Sequence, residues 1–167
     1  MAKHPEEKSR IDVDVPDIPV NVHAQYIKDF SFENPNAPEI LRPSNGRPNM
    51  DINITIDATR VKDEENPHLY ESAMTLTVKA TRDGKTMFIT EIVYAALVTI
   101  VDAPAERINP ILYVDIPQMM FPFARQMVSQ ATGAGGFPPL MMNPIDFRAM
   151  YLSQKRDQNQ MPKEAGN

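Results

Sequence analysis

The residues able to do chemistry in this chain are few, and their spacing argues against most of it. The three histidines are His4, His23 and His68. None has a second ligand at helical or hairpin spacing, so each reads as a solvated side chain and not as a metal ligand. Cysteine is absent, which removes disulfides, thiolate nucleophiles and cysteine-based metal sites. The glycine cluster Gly133-Ala134-Gly135-Gly136 follows a helical pattern, where a phosphate loop would open one, and no Lys-Ser or Lys-Thr pair stands near it. It reads as a helix stop with a flexible joint.

Carboxylates are more numerous. Asp29 and Glu33 lie four apart in an alternating segment, hence on one face of a strand. Such a pair divides acid and base roles in an enzyme only if burial separates the two pKa values. Here the neighbours are His23, Gln25 and Ser31, the composition of a wetted acidic patch. A basic partner docking there would gain mainly association rate and specificity. No catalytic residue, metal or cofactor is expected. What remains is adaptable apolar surface, because the chain holds 11 methionines and no tryptophan. Methionine fills irregular cores by default, and it also serves surfaces that accept many partners. A surface of that second kind reads backbone and generic bulk, with extended segments adding along strands. That is chaperone-like chemistry and needs no ATP.

The elements that must carry this surface come from hydrophobic periodicity. Val20–Glu33 alternates, with Val20, Val22, Ala24, Tyr26, Phe30 and Phe32 on one face and the acidic set on the other. Ile27 and Lys28 each fall on the wrong side of that division. A proline-punctuated crossover over 34–49 leads to Met50–Asp57, with Met50, Ile52, Ile54 and Ile56 on one face. Leu69–Thr81 is the third strand, and Asp83-Gly84 suits a tight primed hairpin turn. Met87–Val101 is apolar on both faces, which fits either a central strand covered on both sides or a strand whose second face meets another chain. From Pro110 the pattern is helical but interrupted by Pro117 and Pro122, predicting a kinked helix or one that starts in stages. The apolar run Phe137–Met142 then needs a cover. Pro144–Gln154 forms the last helix, with Asp146 in its first turn. Strands followed by helices give an α+β fold, a four-stranded antiparallel sheet with two C-terminal helices packed on one face.

At 167 residues the chain is long enough for one domain with a real core. Residues 20–154 form it, Met1–Pro19 reads as a disordered arm, and Lys155–Asn167 as a flexible tail. A net charge of -5 argues against nucleic acid and anionic membrane as partners. No apolar run opens the chain as a signal peptide does, and none approaches the ~20 residues of a membrane span. The expected location is the cytoplasm, without membrane insertion.

Taken together, YIKDFSFENPNAP (Tyr26–Pro38), FPFAR (Phe121–Arg125), the glycine stop, FPPLMMNP and IDF resemble the SecB family of protein-export chaperones. The resemblance covers about Val20 to Leu152. It implies a dimer of dimers, a homotetramer with the helices held between two extended sheets. It also implies that the chain binds unfolded preproteins in the cytoplasm without ATP and passes them to the SecA motor ATPase. Carried over by motif position, Asp29, Glu33, Ile89 and Glu91 would form the SecA-docking face. Met50, Ile52, Ile54, Met150 and Tyr151, with Phe147, would line the client groove. The first helix would face its copy in the partner dimer. The second helix and its loop would be a movable wall over the groove, with the glycines at 133–136 as hinge. The mixed-charge tail QKRDQNQMPKEAGN departs from the acidic tail found elsewhere in the family. Two other readings stay open: a SecB-like chaperone controlling an antitoxin, and a small-ligand enzyme on an α+β scaffold. The enzyme needs converging titratable groups that the sequence does not offer.

Overall fold

The computed structural model describes residues 19–160. Strands β1 (Val20–Glu33), β2 (Asn49–Arg60), β3 (Leu69–Arg82) and β4 (Lys85–Ile100) form one antiparallel sheet in the order β1-β4-β3-β2. The strands of the β3–β4 hairpin therefore sit in the middle, and β1 and β2 are the edges. Asp83 and Gly84 both take positive φ, 52° and 76°, the primed turn that an Asp-Gly pair favours.

Helix α1 (Ala105–Pro110) runs through a π-helical turn (Ile111–Asp115) into α2 (Ile116–Ala134). The staged start is real, and it begins earlier than the pattern from Pro110 implies, because Ala105-Glu106-Arg107 are strong helix formers following Pro104. Pro117 lacks the N–H that the carbonyl four residues back would accept, and the wider π turn falls directly before it. Helix α2 stops where Gly136 turns to φ +89° and the Phe137 amide bonds back to the Thr132 carbonyl at 3.1 Å.

Helix α3 (Phe147–Gln160) starts three residues after Pro144. Asp146 is its cap: the carboxylate accepts from the Ala149 amide at 2.9 Å and the carbonyl from the Met150 amide at 3.1 Å. The helix also continues six residues past Gln154, so the first half of the expected tail is helical. The rest of that tail, and the expected N-terminal arm apart from Pro19, lie outside the described residues.

The core forms where the helices cover one sheet face. Met74, Leu76 and Val78 of β3 and Ile92, Ala96 and Val98 of β4 are fully buried there, against Ile111, Met120, Ala124 and Val128. The face assignment along β1 needs a correction. Residues His23 and Lys28 have no partner in β4, because the register shifts between Val22 and Ala24 and again between Ile27 and Asp29. Each bulge moves the following side chains to the opposite face. Gln25 and Ile27 consequently point to the helix side, while Ala24 and Tyr26 point away from it with Asp29, Ser31 and Glu33.

Candidate functional site

The outer sheet face, away from the helices, gathers the expected docking residues. The register sets Glu33 beside Ile89, Ser31 beside Glu91 and Asp29 beside Val93. Asp29 and Glu33 are exposed, and Ile89, Glu91 and Val93 half-buried. The Thr77 hydroxyl donates to Glu91 at 3.0 Å. Thus three carboxylates surround a short apolar strip at one corner of the sheet. Strand β4 is central in the sheet, but among the described residues its second face carries no covering helix.

Farther along the same face, the Tyr26 hydroxyl donates to one Glu71 oxygen and the Lys28 ammonium to the other at 2.6 Å. Burial, the hydrogen bond to Glu71 and its charge push Tyr26 up to about 12. Burial also works against an ionised Glu71, yet the hydrogen bonds from Lys28 and Tyr26 outweigh it and hold that carboxyl below its usual range.

On the helix side, a groove of about 600 Å³ separates β2 from the connection between α2 and α3. Ile52, Asn53 and Ile54 line one wall, Leu140 through Ile145 the other, and Met150 of α3 also faces it. Ile52, Ile54 and Met150 are thereby brought together. The Asn53 side chain belongs to the outer face, across from Thr77, so the groove reaches the main chain of β2 itself, a strand that among the described residues has a neighbour on one side only. Met50 stands one pleat along the same face, 40% exposed.

Two expected groove residues are elsewhere. Phe147 is 2% exposed and packs edge-on against Phe121, with ring centroids 5.8 Å apart; it supports α3 from the core. Tyr151 stacks on Tyr113 at 5.9 Å under the Lys155 ammonium. It lines two smaller clefts between α3 and the α1–π segment, of about 270 and 170 Å³, and its hydroxyl is enclosed with no partner among the described residues.

The opposite wall, Leu140–Ile145, belongs to the loop expected to wall the groove, although none of its residues is among the expected groove residues. It is held in place at several points. The Leu140 amide donates to the Thr132 hydroxyl at 2.9 Å, and Arg125 donates to the Met142 carbonyl at 3.3 Å. Met142 and Phe137 are buried, and Met141 stays 76% exposed.

Comparison with known proteins bears on this arrangement. The family described as "Preprotein translocase subunit SecB" matches residues 15–158. The "Protein-export protein SecB" of Bartonella quintana is 46% identical over 135 residues, covering 81% of this chain and 82% of that protein. Its counterpart in Nitrobacter winogradskyi is 43% identical over 132 residues, covering 79% and 80%. Among solved structures, the SecB-like chaperone of Mycobacterium tuberculosis in complex with a ChAD peptide from the HigA1 antitoxin superposes with a TM-score of 0.61. It covers 75% of this chain and 90% of that one at 15% identity, a likeness of fold alone.

Proposed function

This chain belongs to the SecB family, and from that premise we infer that it is a protein-export chaperone. Relatives above 40% identity carry the export name, while the antitoxin-bound neighbour shares the fold at 15%, so export is preferred over antitoxin control. Among the described residues no helix is long and apolar enough to cross a membrane.

The finer reading is that unfolded preproteins are held without ATP along the groove beside β2, then passed to SecA in the cytoplasm. The observation that carries it is the groove's composition: branched Ile52 and Ile54 on a strand edge face a methionine-bearing wall. An extended client can pair with β2 through its backbone while side chains of any shape settle against flexible methionines. One apolar anchor contributes about 1.5–3 kcal/mol when fully buried, and micromolar binding needs about 8 kcal/mol. Several anchors must therefore act together, as a groove repeated in an oligomer allows.

Binding of an unfolded precursor to the purified chain tests this. Ile54→Asp should weaken binding about tenfold or more with the fold intact. Tyr151→Ala separates the two regions: it should weaken binding only if clients also reach the cleft by α3. Wild-type affinity in a folded Ile54→Asp variant would reject the groove.

A further inference from the structure

The groove's sulfur atoms carry a second inference, which rests on the client-groove reading above. With no cysteine and 11 methionines, all sulfur redox chemistry of this chain is thioether chemistry. Its exposure is uneven. Met74 and Met120 are fully buried, Met87 is 5% and Met142 8% exposed, while Met50 is 40% and Met141 76% exposed. Met119, Met127 and Met150 are intermediate. The two most accessible thioethers among the described residues thus stand at the groove, Met141 in its wall and Met50 next to Ile52 on the same face of β2. The Met141 sulfur lies 3.6 Å from the Ser129 hydroxyl, which is itself largely buried and donates to it.

We propose that Met141 and Met50 are reversible oxidation sites through which peroxide-class oxidants lower the client affinity of the groove. The thioether attacks the peroxide: an S–O bond forms, the O–O bond breaks, sulfur loses two electrons, and the second oxygen leaves as water after proton transfer. The product is a methionine sulfoxide, a polar and chiral group in place of a flexible apolar one. Its oxygen is a far better acceptor than a thioether, and the Ser129 hydroxyl is already positioned as donor. A sulfoxide held there presents polar surface where a client needs apolar surface. Reduction by a thiol-dependent sulfoxide reductase returns the thioether. Met74, Met87, Met120 and Met142 are shielded by the fold and Met119, Met127 and Met150 are less exposed than the pair, so among the described residues the change falls first on the binding surface.

The test treats the full chain with graded hydrogen peroxide. Peptide mass mapping follows each methionine, and binding of one unfolded precursor is measured in parallel. Among the methionines of the described residues, sulfoxide should appear first at Met141 and Met50, with Met74, Met87, Met120 and Met142 still reduced. Precursor affinity should then fall about tenfold, the loss expected for an apolar contact of methionine size, and recover with sulfoxide reductase and thiol. The double variant Met50→Leu/Met141→Leu, compared with its own untreated affinity, should lose none of it through the same treatment. Unchanged affinity at complete Met141 and Met50 oxidation would overturn the proposal, and so would equal loss in the double variant. Failure of the untreated chain to bind the precursor is a different result: it removes the groove reading itself, and this inference with it.

Discussion

Single side chains account for two measurable properties. Glu71 is an ionised carboxylate stabilised by Tyr26 and Lys28. Because its pKa is lowered in the fold, it adds stability that is fully present above the ordinary carboxylate range and is lost as pH falls through the lowered value. Tyr26 has the opposite sense: raised to about 12, it adds stability present below about 10 and lost as pH rises towards 12. Glu71→Gln should therefore flatten the acid side of a denaturation-against-pH curve. It should also bring one tyrosine of the five to a lower pKa in an ultraviolet titration. An unaltered titration would mean that Glu71 does not govern Tyr26. At the end of α2, a Cβ on Gly135 would meet the Phe32 ring at 2.3 Å, and Phe32 is itself stacked on Phe88 at 5.8 Å. Overpacking of this kind costs about 1–3 kcal/mol, so Gly135→Ala should lower the free energy of unfolding by that amount, read from chemical denaturation. On the outer corner, Glu91→Lys should weaken SecA association about tenfold at low salt and reduce its salt dependence, with precursor binding unchanged. Surface binding measurements at two salt concentrations would decide it, and equal SecA affinity would leave that face with no docking role.

At the scale of elements, the sheet was legible because β3 buries one parity of side chain and β4 is apolar on both, and the Asp83-Gly84 turn pins the hairpin between them. The bulges in β1 were written in the sequence as Ile27 and Lys28 standing on the wrong sides, yet strict alternation has no way to place a residue that opposes nothing. Helix ends were less legible. Pro144 attracts a helix start, while the capping carboxylate of Asp146 sets the actual one. Of the groove, β2 was readable from its isoleucines. The opposing wall was expected as a loop but not residue by residue, since an irregular segment has no period and is positioned by tertiary bonds such as Leu140 to Thr132. Those bonds bear on whether the wall moves. The Thr132 hydroxyl, fully buried, accepts from the Leu140 amide and lies 3.0 Å from the Val128 and Ser129 carbonyls. Thr132→Val keeps the shape and leaves the Leu140 N–H without that acceptor, a cost of about 1–3 kcal/mol if the amide stays buried. The relief is for the wall to open. Hydrogen exchange of the Leu140–Ile145 amides should quicken in the variant while α2 stays protected. Unchanged exchange would show that the wall is held by its buried side chains, Phe137 and Met142, and that the glycines at 133–136 do not act as a hinge.

For the whole molecule, two uncovered apolar surfaces of different chemistry flank the core. One is the methionine-rich groove at the β2 edge. The other lies at the β1 edge, where the bulges turn Ile27 towards the helix side beside Val22 and Phe30. These three are 47%, 37% and 41% exposed, and Phe123 of α2, stacked on Tyr94 at 6.3 Å, is 49% exposed. Flexible thioethers suit varied clients, whereas branched and aromatic side chains of few rotamers suit one fixed partner. The fixed partner available to every copy is another copy, and a two-fold axis lets the same strip meet itself. The β1 strip is accordingly read as the contact that builds the expected dimer of dimers. A stable interface of this kind buries at least about 1,200 Å², and a carboxylate placed in its centre is left unpaired and desolvated on both sides of the axis. Ile27→Asp combined with Phe123→Asp should reduce the mass measured by light scattering from that of the parent oligomer to a smaller species. A short peptide that occupies a single groove should bind each chain as before, since the β2 edge is untouched. Long precursors should lose more, because they depend on several grooves held together. Ile54→Asp should give the reverse pattern, with the oligomer intact and even the short peptide weakened. A double variant of Ile27 and Phe123 with unchanged mass would refute the self-contact. One with equal loss of short and long ligands would show that the two surfaces are a single site.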